Sequence, residues 1–351
     1  MNNMIQPFRL YNVLLLFVLT LLSACKGGDA SPKSSIPKTG NPQIDLLTEQ
    51  IFKNPKNATL YFERAQLFRQ NGAAGGLDYA IEDMKYALSI DSTNPTYHHF
   101  LADVFMDYRQ SRAALNTMQR CADLHPNRIQ TLLKLAEFQL LLQQYPESMQ
   151  TADKILKIDP QSSEGFFIMG MNFKETGKVD EAIKTMQRAA DLNAQTKDAF
   201  IELGHLFEMK NNPIALKYFE NALTIDSLDI PALMAKAVFL HQHNRIEEAT
   251  NAYKQIIQLD RHQKDVYFNL GLLYFEHDSI ERARQHFNIV IAEAPSYVKT
   301  DAPTIFKAYY YRGACLEKQG NKADALIDYQ KALSLSPNYA PAKTAVARLS
   351  N

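Results

Sequence analysis

The feature that most constrains this chain is a helix breaker that returns at nearly fixed intervals. Apolar helical runs end at Pro55, Ser92, Pro126, Pro160, Ala194, Ser227, Arg261, Pro295 and Pro337, giving steps of 37, 34, 34, 34, 33, 34, 34 and 42 residues. A chain punctuated in this way does not wrap around one central core. Each segment is a unit of similar size, too small to bury its own apolar surface, so it must bury that surface against its neighbours.

The segment from Ser163 to Ala194 shows the unit most plainly. Its apolar residues fall at helical spacing in two runs, Phe166, Met169 and Phe173, then Ala182, Ile183, Met186 and Ala189, with Gly177 between them. This predicts a helical hairpin. Gly177 is expected to take the left-handed conformation that stops the first helix, and Asp180 to cap the second.

The other segments repeat the pattern over roughly Ala58 to Pro337. Four first-helix slots read Tyr61, Arg64, Ala65, Phe68; His98, Leu101, Ala102, Phe105; Phe166, Met169, Gly170, Phe173; Phe200, Leu203, Gly204, Phe207; and Tyr267, Leu270, Gly271, Tyr274. Three second-helix slots read Ala80, Met84, Ala87; Ala114, Met118, Cys121; Ala182, Met186, Ala189; Ala215, Phe219, Ala222; and Ala325, Tyr329, Ala332. A 34-residue hairpin with these slots resembles the tetratricopeptide repeat. The small first-helix residue is expected where helices of neighbouring hairpins approach closely.

Departures from the pattern are equally specific. There is no tryptophan, so Tyr, His, Leu or Phe fills the large first slot. The third repeat carries Ser148 and Ala152 where Ala and a large residue are expected. Three extra residues fall around Gly72, Gly75 and Gly76, and eight between Pro295 and the last repeat, where Asp301 and Pro303 are placed to start a lengthened helix. The resemblance implies an all-α fold, a right-handed α-solenoid (superhelix) of about eight hairpins with flanking cap helices.

The first 24 residues are of another kind. Val13 to Leu22 is an uncharged apolar run preceded by a single positive residue, Arg9, which reads as a signal-peptide core. The run ends in Leu22-Ser23-Ala24-Cys25, which resembles the lipobox of bacterial lipoproteins and implies cleavage before Cys25 and acylation of its thiol. The alternatives are an ordinary signal peptide with an incidental cysteine, or an uncleaved anchor. The segment that follows, rich in Gly, Ser, Pro and Lys, is expected to be a flexible tether. The expected layout is a signal peptide over 1–24, lipidated cysteine and tether over 25–42, a cap helix over 43–57, the array over 58–337 and a last cap over 338–351. A bacterial envelope location, lipid-anchored and facing the periplasm or the exterior, follows from that reading.

Composition removes several function classes. The 38 basic and 38 acidic residues balance, and no basic run interleaves with aromatics, so nucleic acid is not an expected partner. Cys121 and Cys315 sit several repeats apart inside apolar patterns and read as buried small hydrophobes. No hydrolase, phosphate-loop or paired-cysteine metal motif occurs, and neither an enzyme nor a cofactor is expected. His205 and His241 on neighbouring first helices are the one weak metal candidate.

What remains is a surface. In the tetratricopeptide register the concave face is lined by outward positions of each first helix, here Phe62, His99, Phe100, Phe167, Met171, Ile201, His205, Met234, Val238, Phe268, Asn269, Leu272, Phe275, Tyr310 and Tyr311. The list is apolar and aromatic beyond what the repeat pattern needs, which marks a partner groove, unless these side chains pack within a narrow superhelix or against a folded-back tail. Neighbouring positions lean acidic, with Glu63, Asp103, Asp107, Glu137, Glu164, Glu175, Asp198, Glu202, Glu208, Asp265, Glu276 and Glu317 against Arg69, Lys134, Lys174, Lys307 and Lys318. The expected function is a non-enzymatic scaffold that holds a protein or peptide with apolar anchors and basic residues, in envelope or secretion complex assembly. The alternatives are an adaptor that recruits a cell-wall enzyme and, last, a metal-binding or catalytic protein.

Overall fold

The computed structural model describes residues 39–70, 75–293 and 303–350. Cys25, the apolar run before it, Gly72, Pro295 and Asp301 lie outside the described residues. Those residues form eighteen α-helices and no strand. We number them α1 (Pro42–Lys53), α2 (Ala58–Gln70), α3 (Gly76–Ile90), α4 (Pro95–Asp107), α5 (Ser111–Leu124), α6 (Ile129–Leu141), α7 (Tyr145–Ile158), α8 (Ser163–Glu175) and α9 (Val179–Leu192). The rest are α10 (Lys197–Met209), α11 (Ala215–Ile225), α12 (Ile230–Gln242), α13 (Ile246–Leu259), α14 (Lys264–Glu276), α15 (Ile280–Ala292), α16 (Pro303–Lys318), α17 (Lys322–Leu335) and α18 (Ala340–Leu349). From α2 to α17 they follow one another as first and second helices of successive repeats, the pattern of an α-solenoid. The chain divides into two compact units that part between Phe138 and Gln139.

Helix starts follow local chemistry. The Asn41, Asn94, Ser162 and Asp229 side chains accept hydrogen bonds from amides of the first turns of α1, α4, α8 and α12, and prolines in three of those turns need no partner. Asp180 does not cap α9. The cap position is Lys178, which makes no side-chain cap bond, and Asp180 instead pairs with Lys210 of the next hairpin at 2.5 Å.

Gly177 has φ +76°, as its place between the two helices requires, and the Lys178 amide donates to the Phe173 carbonyl at 2.8 Å. The same left-handed residue recurs at Gly75, Arg109, Gln143, Asn211, Asn244, Asp278 and Gly320, most of them 34 residues apart. Five of these eight positions are not glycine, so the turn is imposed by the two helices it joins and is not announced by residue type.

The second-helix slots hold the core. Ala80, Met84, Ala87, Met118, Met186, Phe219 and Tyr329 are all buried. The small first-helix residue has a different cause from the one expected. A Cβ on Gly204 would lie 2.2 Å from the Phe219 ring, and one on Gly271 would lie 2.7 Å from Phe287, each on the second helix of the same hairpin. The close approach is within the hairpin, not between neighbours.

The departures also have causes. Ser148, in the third repeat's weak slot, is buried and accepts a hydrogen bond from Asn172 Nδ2 of α8 at 2.9 Å. Arg64, where most first helices carry an apolar residue, is buried with Asp83 of α3. Their two parallel bonds measure 2.8 and 2.6 Å, and Nη1 reaches back to Thr48 of α1 at 3.0 Å. The last hairpin repeats the device, with Arg312 on Asp328 at 2.7 and 2.6 Å and on Asn288 of α15 at 2.9 Å. Burial pushes the Asp83 carboxyl up and the Arg64 guanidinium opposes it, so the carboxylate depends on its partner. Asp83→Ala should cost about 3–5 kcal/mol in urea unfolding, because it strands a buried guanidinium, whereas Arg64→Leu with Asp83→Ala should recover most of that loss.

Candidate partner-binding surface

In the unit that follows Phe138, the first helices α10, α12 and α14 each touch the next first helix, as well as their own second helix. The second helices touch the first helices on either side and make no comparable contact with one another. The stack therefore closes up along its first-helix side, and residues on that side line the tighter face.

Of the side chains expected there, most are half-buried, with one flank in the seam between hairpins and one open. Phe167 and Met171 of α8 rest on the core of α9 and α10. Met234 and Val238 of α12 rest on the core shared with α13 and α14, and Asn269 Nδ2 donates to the Met234 sulfur at 3.8 Å. Phe268, Leu272 and Phe275 of α14 pack with Tyr311 over Phe287, with Tyr311 edge-on to Phe268 at 6.0 Å and to Phe275 at 5.6 Å. Tyr310 leans the other way, onto Tyr329 and Tyr339 at 5.5 and 5.3 Å.

Ile201 is a correction. It is only 9% exposed and sits in a core cluster with Ala222 and Ala232, because its flank of α10 turns into the seam with α11 and α12. It is not a partner anchor. His205 stays accessible, its ring edge-on to Phe219 at 5.2 Å and its Nδ1 3.4 Å from Glu208. His241 bonds Glu276 at 2.9 Å, and among the described residues no three metal-capable side chains gather.

In the preceding unit, Phe62 meets Tyr97 and Phe100, both at 5.3 Å, and the Arg69 guanidinium lies 5.5 Å over the Phe100 ring. His99 Nε2 is 2.9 Å from the Thr131 hydroxyl, and burial together with Lys134 and Arg128 pulls its pKa down to about 4, so it is a neutral packing residue near pH 7.

Charge on the face is more compensated than a count of acids implies. Lys174 binds Glu202 at 2.6 Å, Lys134 binds Asp103 at 2.6 Å, and Arg69 binds Asp107 at 2.6 Å. Arg348, from the last helix, clamps Glu317 with two bonds of 2.5 and 2.8 Å. Among the described residues Glu164 and Asp198 are exposed and have no cation partner, and they leave the α8 and α10 part of the face negative. Cys121 and Cys315 are buried free thiols, and burial pushes the Cys315 thiol up to about 12.

Tetratricopeptide repeat family models match residues 130–162, 164–196, 237–298 and 306–339. Over those segments the chain matches the tetratricopeptide repeat. Among known proteins it is similar to anaphase-promoting complex subunit 3 of Schizosaccharomyces pombe, 23% identical over 206 residues, 58% of this chain and 30% of that protein. It is also similar to the human protein O-mannosyl-transferase TMTC3, 24% identical over 218 residues, 60% of this chain and 24% of that one. Over those matches the chain spans less than a third of the length of the curated relatives. Among solved structures it resembles yeast Tom70, with a TM-score of 0.61 at 19% identity over 80% of this chain and 59% of that one, a likeness of fold.

The half-buried rings serve seam and surface together, which a stability measurement separates from binding. Phe268→Ala should cost about 2 kcal/mol in urea unfolding, near half the loss for a fully buried phenylalanine, while Asp198→Ala should change it by under about 0.5 kcal/mol. No loss for Phe268→Ala would mean that the ring does not seal its seam.

Proposed function

We propose that this tetratricopeptide chain is a non-enzymatic scaffold that takes an amphipathic helix or peptide along its first-helix face, at α8 to α14. The observation that carries the reading is the set of half-open apolar side chains on first helices, Phe167 and Met171 of α8, Met234 of α12 and Phe268 and Phe275 of α14, beside the carboxylates Glu164 and Asp198, which have no cation partner among the described residues. Apolar flanks supply the binding energy, and uncompensated carboxylates favour a partner with basic residues beside its apolar anchors. Photo-crosslinking side chains at Asp198 and His205 should trap a partner protein, whereas the same group at Lys184 and Lys217 on second helices should not. Equal adducts at both pairs of positions would overturn the assignment of the face.

The scaffold is further proposed to be held at a bacterial envelope membrane by acyl chains on Cys25, with the segment that follows acting as a tether. This rests on the apolar run and the Leu22-Ser23-Ala24-Cys25 sequence. Each buried methylene of an acyl chain contributes about 0.8 kcal/mol, so several chains suffice to hold a folded array at a lipid surface. Among the described residues no helix is long and apolar enough to cross a membrane. Cys25→Ala should release the protein from membranes and abolish palmitate labelling; retention of both would sink the anchor.

A further inference from the structure

Away from the first-helix face, two cavities occupy the same place in the repeat, where a second helix meets both helices of the next hairpin. One lies among α3, α4 and α5 and measures about 460 Å³; the other lies among α11, α12 and α13 and measures about 360 Å³. Seven of the nine residues lining each correspond at a spacing of 135, for example Ser92 with Ser227 and Asn116 with Asn251. The shared frame makes the differences informative.

In the later cavity charge is matched. Lys236 pairs with Glu220 at 2.9 Å, Glu248 pairs with Arg245 at 2.6 Å, and Leu233 and Gln255 complete the equivalent positions. In the first cavity the residues at the positions of Glu220, Leu233 and Gln255 are Lys85, His98 and Arg120. No carboxylate lines it, and neither Lys85 nor Arg120 has an ion-pair partner among the described residues. His98 is only 3% exposed. Its Nε2 is 3.0 Å from the Ser92 carbonyl oxygen, which can only accept, so Nε2 carries the hydrogen and Nδ1 presents a lone pair. That lone pair is buried and has no partner. Leucine, as at Leu233, would fill the position without leaving a polar atom unsatisfied, so packing alone does not account for histidine here.

We propose that this cavity is a site for a small phosphate monoester, with the phosphoryl group between the exposed Lys85 and Arg120 at the mouth and its proton-bearing oxygen toward His98 at the floor. The volume is within the range of about 300–1,000 Å³ typical of small-molecule sites. Lysine and arginine are the usual phosphate donors, and a monoester whose second pKa is near 6 still carries a hydrogen in a minority of molecules near pH 7, the form that Nδ1 can accept from and would select. A carboxylate at neutral pH offers no such hydrogen. The site belongs to the unit before Phe138 and is independent of the partner face on α8 to α14.

Phenyl phosphate titrated into the full chain, followed by calorimetry and by the ¹⁵N signals of the histidine rings, tests this. Saturable binding is expected, with a shift of the His98 Nδ1 signal, identified by its loss in His98→Leu. Lys85→Glu with Arg120→Gln, both at exposed positions, should weaken binding at least about tenfold, and Lys184→Ala on α9 should leave it unchanged. Phenylacetate should bind at least about tenfold more weakly than phenyl phosphate. Absence of saturable phenyl phosphate binding, equal binding by the charge variant, or equal binding of phenylacetate would each overturn the proposal.

Discussion

A large second-helix side chain lying flat on a bare first-helix backbone is the contact on which the rest of this structure depends. Phe219 over Gly204 and Phe287 over Gly271 bring the two helices of a hairpin so close that one added carbon would collide. The hairpin then presents a compact slab with an apolar surface on each side, and only stacking removes both from water. The 34-residue interval, the buried alanines at Ala182 and Ala189, and the seam residues at Phe167 and Val238 all follow from that approach.

The same closeness governs what the surface can offer. With first helices in mutual contact along α10 to α16, a large apolar side chain on that side cannot stand free; it is drawn partly into the seam. On the proposed reading a partner would meet ring edges and thioether flanks between hairpins. Such a face suits a helix or an extended segment that contacts several hairpins in succession. On that reading affinity would grow with the number of hairpins engaged.

Much of this was legible in the sequence, because spacing and size carry it. The slots from Tyr61 to Ala332 marked the hairpins. What stayed hidden has physical reasons. The left-handed turn at Arg109, Gln143 and Asp278 has no residue signature, since the flanking helices enforce it. Ile201 was misplaced because one helical step of rotation separates an open flank from a buried one. The compensation of Glu317 by Arg348 joins residues 31 apart on two different elements, which a count along first helices does not see. Asn172 and Ser148 left a trace, a serine where alanine was expected, but the partner lay on the next hairpin.

The buried guanidinium of Arg64 bonds a carboxylate in its own hairpin and a hydroxyl in the helix before it, and Arg312 does the same with Asn288. Near-identical hairpins invite mis-stacking, in which one unit takes another's place or exchanges between two copies of the chain. Wherever the upstream neighbour lacks an acceptor at that height, one N–H of the guanidinium would be left dry and unmatched, a penalty of about 1–3 kcal/mol. Each of these arginines thus acts as a key that fits one predecessor, giving a repetitive chain a fixed order near both of its ends.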